Sequence, residues 1–194
     1  DSAAIIRVEL DPTSIGRYFP VALGIWADAS TVAKQLAEEL VDLEQHAEVA
    51  AWAEGYKTER IAYLEKQDSD ADVDVYPIQP SGLFKVLRDV LPRDAAITLD
   101  AGTLCLQATD ALNYWEPPCL FTPLDFGLVG FSFSCGLGVK SAMPDRAVVS
   151  LMGDGGFGMT LSELSTAVDH GINTVTIVMN NKCWGAEKAY QRDF

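Results

Sequence analysis

The apolar positions change period along the chain, and each change marks an element. Residues 4–10, AIIRVEL, are apolar enough for a strand, and Asp11-Pro12 closes it with a turn. Pro20 to Ile25 reads as a second strand. After Asp28 the spacing becomes helical, with Val32, Leu36, Leu40 and Leu43 on one face. Residues 44–66 predict a charged, alanine-containing helix with Trp52 and Tyr56 on one side. Asp68, Asp70, Asp72 and Asp74 then alternate ahead of Pro77 and Pro80, the composition of a linker. Past it, Ser81 is expected to cap a helix through Val90 that turns Leu83, Val86, Leu87 and Val90 inward.

Three further apolar runs end in small-residue turns. Ala96–Leu99 predicts a short strand that runs into Asp100-Ala101-Gly102-Thr103, and residues 134–142 predict a helix. Ala147–Met152 predicts a buried strand that breaks at Gly153-Asp154-Gly155-Gly156. Thr160 and Glu163 have capping-box spacing, so a helix is expected from about Thr160, with Leu161, Leu164, Ala167 and Val168 on one face. Gly171 supplies the left-handed residue that ends it, and Thr174–Met179 is β-branched enough for a second buried strand.

A strand, glycine turn, helix and strand in succession form a right-handed crossover in a parallel sheet. The expected fold is therefore α/β: a doubly wound, Rossmann-like parallel sheet with helices on both faces, preceded by part of a second α/β domain. The boundaries that follow are residues 1–45 for the first part, 46–79 for a helix and acidic linker, and 80–194 for the main domain. A chain of 194 residues, 48% hydrophobic, can bury one good core or two small ones.

In such a sheet both the Asp154 turn and Asn180-Asn181 fall at the carboxyl ends of strands, where open α/β sheets bind ligands. Asp154 offers a carboxylate and Asn181 an amide oxygen, while the glycines let a phosphate approach a helix N-terminus. A few protein oxygens completed by phosphate and water suit magnesium, so the inferred ligand is a magnesium diphosphate. Ala101, Gly102 and Thr103 repeat the same device at the end of another strand. Glycines at 127, 130, 136 and 138 suggest close approach to something flat.

Gly153-Asp154-Gly155, the helix carrying Glu163-Leu164, and Asn180-Asn181 together resemble the diphosphate-binding signature of thiamine diphosphate (ThDP)-dependent enzymes, spaced as in the acetolactate synthase-like superfamily. Trp184-Gly185-Ala186-Glu187-Lys188 is similar to the corresponding stretch of the sulfoacetaldehyde acetyltransferases within it. The resemblance implies ThDP and Mg2+ as cofactors. It assigns the metal to Asp154, Asn181 and the backbone oxygen of Cys183. It also implies that Ala101, Gly102, Thr103, Gly153, Gly155, Gly156, Trp184 and Gly185 bind the cofactor, with Gly127 beneath it and Val129 holding it bent. The implied reaction converts sulfoacetaldehyde and phosphate to acetyl phosphate and sulfite. The alternative within the family is an acetolactate synthase-like decarboxylation and carboligation of 2-oxo acids. A non-catalytic diphosphate-binding or interaction subunit is the reading of another class.

Residues 1–45 resemble the last third of the family's central domain, while the pyrimidine-binding domain with its activating glutamate has no counterpart here. The resemblance therefore implies no catalytic residue in this chain and a piece of a longer, homo-oligomeric enzyme. Its partners would be a small-molecule substrate, the rest of the enzyme and a second subunit, and the chain alone would be inactive.

Charge and cysteine usage narrow the picture further. The net charge of −14 is uneven, with 16 acids and 6 bases in residues 1–80 against 12 and 8 in residues 81–194, which disfavours nucleic acid. No apolar run is long enough to span a bilayer and no signal-peptide pattern opens the chain, so a cytoplasmic location without membrane contact is expected. Cys105, Cys119, Cys135 and Cys183 have no zinc spacing. His46 and His170 have no partners for a catalytic triad and are assigned to structure.

Overall fold

The computed structural model describes residues 3–41 and 47–194. Leu43 and His46, expected at the end of one helix and just past it, lie outside the described residues, as does the expected boundary after residue 45. The chain divides into two compact units, Asp1–Thr58 and Glu59–Phe194.

In the first unit, strands β1 (Ile6–Glu9) and β2 (Leu23–Trp26) pair in parallel, Ile6 opposite Leu23. The Asp11 carboxylate accepts the Thr13 N–H at 2.9 Å and turns the chain after β1. Helix α1 (Ala29–Glu39) is capped by Asp28, which accepts from the N–H groups of Ser30 at 2.9 Å and Thr31 at 3.2 Å. A long helix, α2 (Ala47–Asp70), straddles the division and continues through Asp68 and Asp70.

The second unit is built on a four-stranded parallel sheet, order β4-β3-β5-β6, from β3 (Ala96–Leu99), β4 (Leu120–Phe121), β5 (Val148–Gly153) and β6 (Val175–Met179). Alternation along β3 and β5 sorts their side chains by face. Ile97, Leu99, Val149 and Leu151 join Phe84 and Leu87 of α3 (Pro80–Val90) and Cys105, Ala108 and Leu112 from α4 (Thr103–Ala111) and its end. On the other face Met152 meets Phe133 and Leu137 of α5 (Phe131–Ala142), with Phe157 of α6 (Asp154–Thr160) and Ala167 of α7 (Glu163–Asp169) against them. The expected parallel α/β sheet with helices on both faces is thus the observed one. The last helix, α8, spans Gly185–Asp193.

The α5 face also contains a buried hydroxyl cluster. Thr98 Oγ1 lies 2.9 Å from Ser150 Oγ and 3.0 Å from Ser132 Oγ, and all three residues are fully buried. Gly136 sits against the cluster: a Cβ there would collide with Ser150 Oγ and stand 3.3 Å from Thr98 Oγ1. The flat object that Gly136 approaches is therefore the sheet itself.

Helix α5 begins at Phe131, ahead of the expected start at residue 134, and two other helix starts also differ from expectation. Ser81 lies inside α3, whose N-cap is Gln79 with Pro80 at the first helical position; the fixed φ of Pro80 suits a helix start and its missing N–H would go unpaired there in any case. The helix expected from Thr160 starts instead at Asp154, where an acid in the first turn favours the helix dipole. Thr160 ends that helix, its Oγ1 buried without a hydrogen-bond partner among the described residues. Glu163 opens the separate helix α7 and accepts from Thr166 Oγ1 at 2.8 Å, so no capping box forms. Gly171 (φ +62°) does end α7: its N–H donates to Val168 O at 3.2 Å and that of Ile172 to Ala167 O at 2.9 Å.

Candidate functional site

The sheet brings the carboxyl ends of β3, β5 and β6 side by side, and the sequence places a polar turn at each. After β5, Gly153 is extended and Asp154 becomes the first residue of α6, half-buried at the helix N-terminus. After β6, the chain turns through Asn180 and Asn181, with Lys182 at φ +58°. The Asn180 side chain accepts the Lys182 N–H at 2.9 Å, and Asn181 Oδ1 accepts the Cys183 N–H at 3.1 Å. These two Asx turns fold the loop toward α6. The Asn181 N–H then donates to Asp154 Oδ1 at 3.3 Å, joining the two strand ends.

Small residues let the loop close onto α6. A Cβ on Gly155 would lie 2.6 Å from Trp184 Nε1, so the indole rests directly on the Gly155 backbone. A Cβ on Gly185 would lie 3.0 Å from Asn181 Nδ2 and 3.6 Å from Thr103 Oγ1. Thr103 therefore connects the Asn181 loop with the turn after β3.

That third turn opens a cleft of about 500 Å3. Ala101, Gly102, Thr103 and Gly127 line it with Pro123 and Leu124, and Ala186, Ala189 and Tyr190 of α8 form a further wall. Among the sequence-predicted residues, Asp154, Gly155, Asn181, Cys183, Trp184 and Gly185 thus form one group, and Ala101, Gly102, Thr103 and Gly127 a second. Val129 is half-buried and lines neither, two residues past Gly127. Asp154 and Asn181 do not line the cleft; Thr103, beside Gly185, is where the two groups meet.

Asp100 was not expected to matter, yet it lies between the two groups. Only 2% exposed, its carboxylate accepts the N–H groups of Ala101 at 2.9 Å, Gly130 at 2.9 and 3.1 Å, and Phe131 at 3.1 Å. Burial pushes its pKa up, opposed by those three backbone donors, which favour the charged form. The clue in the sequence was an acid directly after a short strand apolar but for Thr98, followed thirty residues on by Gly130 ahead of a helix.

The oxygen donors at Asp154 are those a hard cation takes. The Asp154 carboxylate and the Asn181 amide oxygen, which keeps a second lone pair beyond its bond to Cys183, lie on two loops joined by the bond from the Asn181 N–H to Asp154 Oδ1. Gly155 and Gly185 let Trp184 and Asn181 pack directly on backbone, so the loop seats against α6 with no side chain between. The residues present fit a magnesium diphosphate.

Residues 100–194 match the thiamine pyrophosphate enzyme C-terminal TPP binding domain. The sulfoacetaldehyde acetyltransferase of Alcaligenes xylosoxydans xylosoxydans is 32% identical over 214 residues, covering 100% of this chain and 36% of that protein. The acetolactate synthase isozyme 3 large subunit of Escherichia coli K12 is 28% identical, covering 98% of this chain and 33% of that protein. The thiamine diphosphate-dependent 4-hydroxybenzoylformate decarboxylase of Rhodococcus jostii RHA1 shares the fold, with a TM-score of 0.74 at 22% identity over 98% of this chain and 33% of that one. The chain spans about a third of the length of the curated relatives it matches.

Proposed function

The chain belongs, through residues 100–194, to the thiamine pyrophosphate enzymes as their C-terminal TPP-binding domain, and from that premise we propose that it holds the magnesium diphosphate of the cofactor for an acetyl-transferring enzyme. The observation that carries the reading is the 3.3 Å bond from the Asn181 N–H to Asp154 Oδ1, which joins the two loops that would share the metal. Asp154, the Asn181 amide and the Cys183 carbonyl supply its protein oxygens. Gly153 puts no side chain before the Asp154 carboxylate, while Gly155 and Gly156 let Trp184 and Asp100 pack directly on the start of α6, and Trp184 and Gly185 close that side. After β3, Gly102 and Thr103 present backbone N–H groups at the start of α4, where phosphate is favoured, and Ala101 precedes them with its own N–H bound to Asp100. Gly127 and Val129 support the organic part.

When bound, thiamine diphosphate supplies a nucleophile for a carbonyl carbon and an electron sink. The chain's residues fix its position, exclude water on the Trp184 side and neutralise the diphosphate through the metal. The acid–base group that activates the cofactor belongs to a pyrimidine-binding domain outside this chain, contributed at a contact between two subunits. The substrate we favour is sulfoacetaldehyde with phosphate as acceptor, supported by the 32% identity to the Alcaligenes enzyme over the whole of this chain.

The test uses the full-length protein with thiamine diphosphate and Mg2+. Sulfite and acetyl phosphate formed from sulfoacetaldehyde and phosphate support the proposal. Carbon dioxide release from pyruvate without sulfite formation from sulfoacetaldehyde favours the acetolactate synthase reading, for which the Escherichia coli relative speaks. Unchanged cofactor binding in Asp154→Ala refutes the site.

A further inference from the structure

The ends of β3, α5 and α6 meet at a junction with almost no side chain in it. Asp100 puts a buried carboxylate there. Its Oδ1 accepts from Ala101, Gly130 and Phe131, so it caps α5, a helix whose own N-cap, Gly130 (φ +91°), has no side chain to do so. A carboxylate at a helix N-terminus is also favoured by the dipole. Its Oδ2 faces Gly156 so closely that a Cβ at Gly156 would overlap it. Gly130 in turn lies under α6: a Cβ there would come 2.9 Å from Met159 Cβ and 3.2 Å from Thr160 Cγ2.

Gly156 is the third residue of α6 and Asp154 the first, on the same turn of helix. Whatever sets how closely Gly156 approaches α5 therefore sets where the Asp154 carboxylate and the first N–H groups of α6 point. The contact that does so is the Asp100 carboxylate, held rigidly by its three donors at a fully buried site. We propose that Asp100 is a positioning residue for the cofactor: through Gly156 it fixes the seat of the Gly153–Gly156 turn and hence the geometry of the magnesium diphosphate cradle. This rests on the cofactor reading of the Asp154 turn given above.

The contact is isolated by a double-mutant cycle in the full-length protein, read as magnesium-dependent affinity for thiamine diphosphate, with thermal unfolding of the cofactor-free protein measured alongside. Gly156→Ala forces the turn off Asp100 and is expected to weaken affinity by about tenfold. Asp100→Ser withdraws the carboxylate and is expected to weaken it to a similar degree. The double variant has room for the new methyl, so it should bind better than Gly156→Ala alone. Asp100→Asn keeps the shape and the oxygen that caps α5, so it should bind within about threefold of wild type, and it serves where Asp100→Ser does not fold. A general structural role would shift the unfolding temperatures without this rescue of affinity. Losses that multiply in the double variant, or wild-type affinity in Asp100→Ser, overturn the proposal. Equal binding by wild type and Asp154→Ala instead overturns the cofactor reading on which it stands.

Discussion

Two glycines two residues apart on α5 should respond to the same substitution with opposite sign. Alanine is favoured over glycine in a helix interior by about 1 kcal/mol, so helix propensity alone predicts that Gly136→Ala and Gly138→Ala both stabilise. Their surroundings differ. Gly138 is exposed and a Cβ there meets nothing within 4 Å, so Gly138→Ala should stabilise by about 0.5–1 kcal/mol. Gly136 is buried over the sheet, and its new Cβ would overlap Ser150 Oγ and crowd Thr98 Oγ1. Either α5 rises from the sheet or Ser150 rotates out of its 2.9 Å bond with Thr98. Overpacking costs about 1–3 kcal/mol and stranding a buried hydroxyl about 1–3 kcal/mol. Whichever occurs costs about 1–3 kcal/mol, so less the helix gain the net is a loss of up to about 2 kcal/mol. Urea unfolding followed by circular dichroism measures both variants. Adding Ser150→Ala to Gly136→Ala removes the colliding oxygen and should recover most of the loss. Equal stabilisation by the two single variants would refute the close approach of α5 to the hydroxyl cluster.

Other consequences follow from the same geometry. Asp110 accepts from Tyr63 Oη at 2.6 Å, Gln67 Nε2 at 3.0 Å and Arg60 at 3.3 Å, and the Tyr63 bond, with Gln67 and Arg60, holds its carboxyl below the ordinary value. A lowered carboxyl adds stability above the unfolded pKa, and that contribution is lost as pH falls through the folded value. Asp110→Asn should therefore cost up to about 1 kcal/mol at pH 7, small because the pair is exposed, with the difference closing below about pH 4 in urea titrations. Leu151, 1% exposed in the centre of the sheet, should lose about 2–5 kcal/mol on Leu151→Ala by the same measurement. Because the Trp184 indole rests on Gly155, cofactor binding should change tryptophan emission, and Trp184→Phe should abolish most of that change; an undiminished signal would place the cofactor elsewhere.

Periodicity made the strands and glycine turns of the second unit legible, because β3 and β5 are buried on both faces and so read as apolar runs broken only by Thr98 and Ser150. Asp154 and Asn181 were legible because a parallel sheet puts successive strand ends together, and the Asn181 N–H does reach Asp154. The start of α6 was obscured by the capping-box spacing of Thr160 and Glu163, a local signal that the glycine turn preempted six residues earlier. Strand β4 is two residues long beside β3, too short for any period to register. Asp100 looked like one more turn acid. Its burial comes from α5 and α6 packing over it, a tertiary fact that no spacing in the sequence encodes.

If Asp154 and Asn181 hold a divalent cation beneath a diphosphate, binding of thiamine diphosphate must depend on that cation. Calorimetric titration of thiamine diphosphate into the full-length protein, with Mg2+ and then with the metal chelated, tests it most directly. The account predicts saturable binding at one site per chain that needs Mg2+ and falls at least about tenfold in Asp154→Ala. Binding of equal strength with and without the metal, or with and without the Asp154 carboxylate, would contradict it.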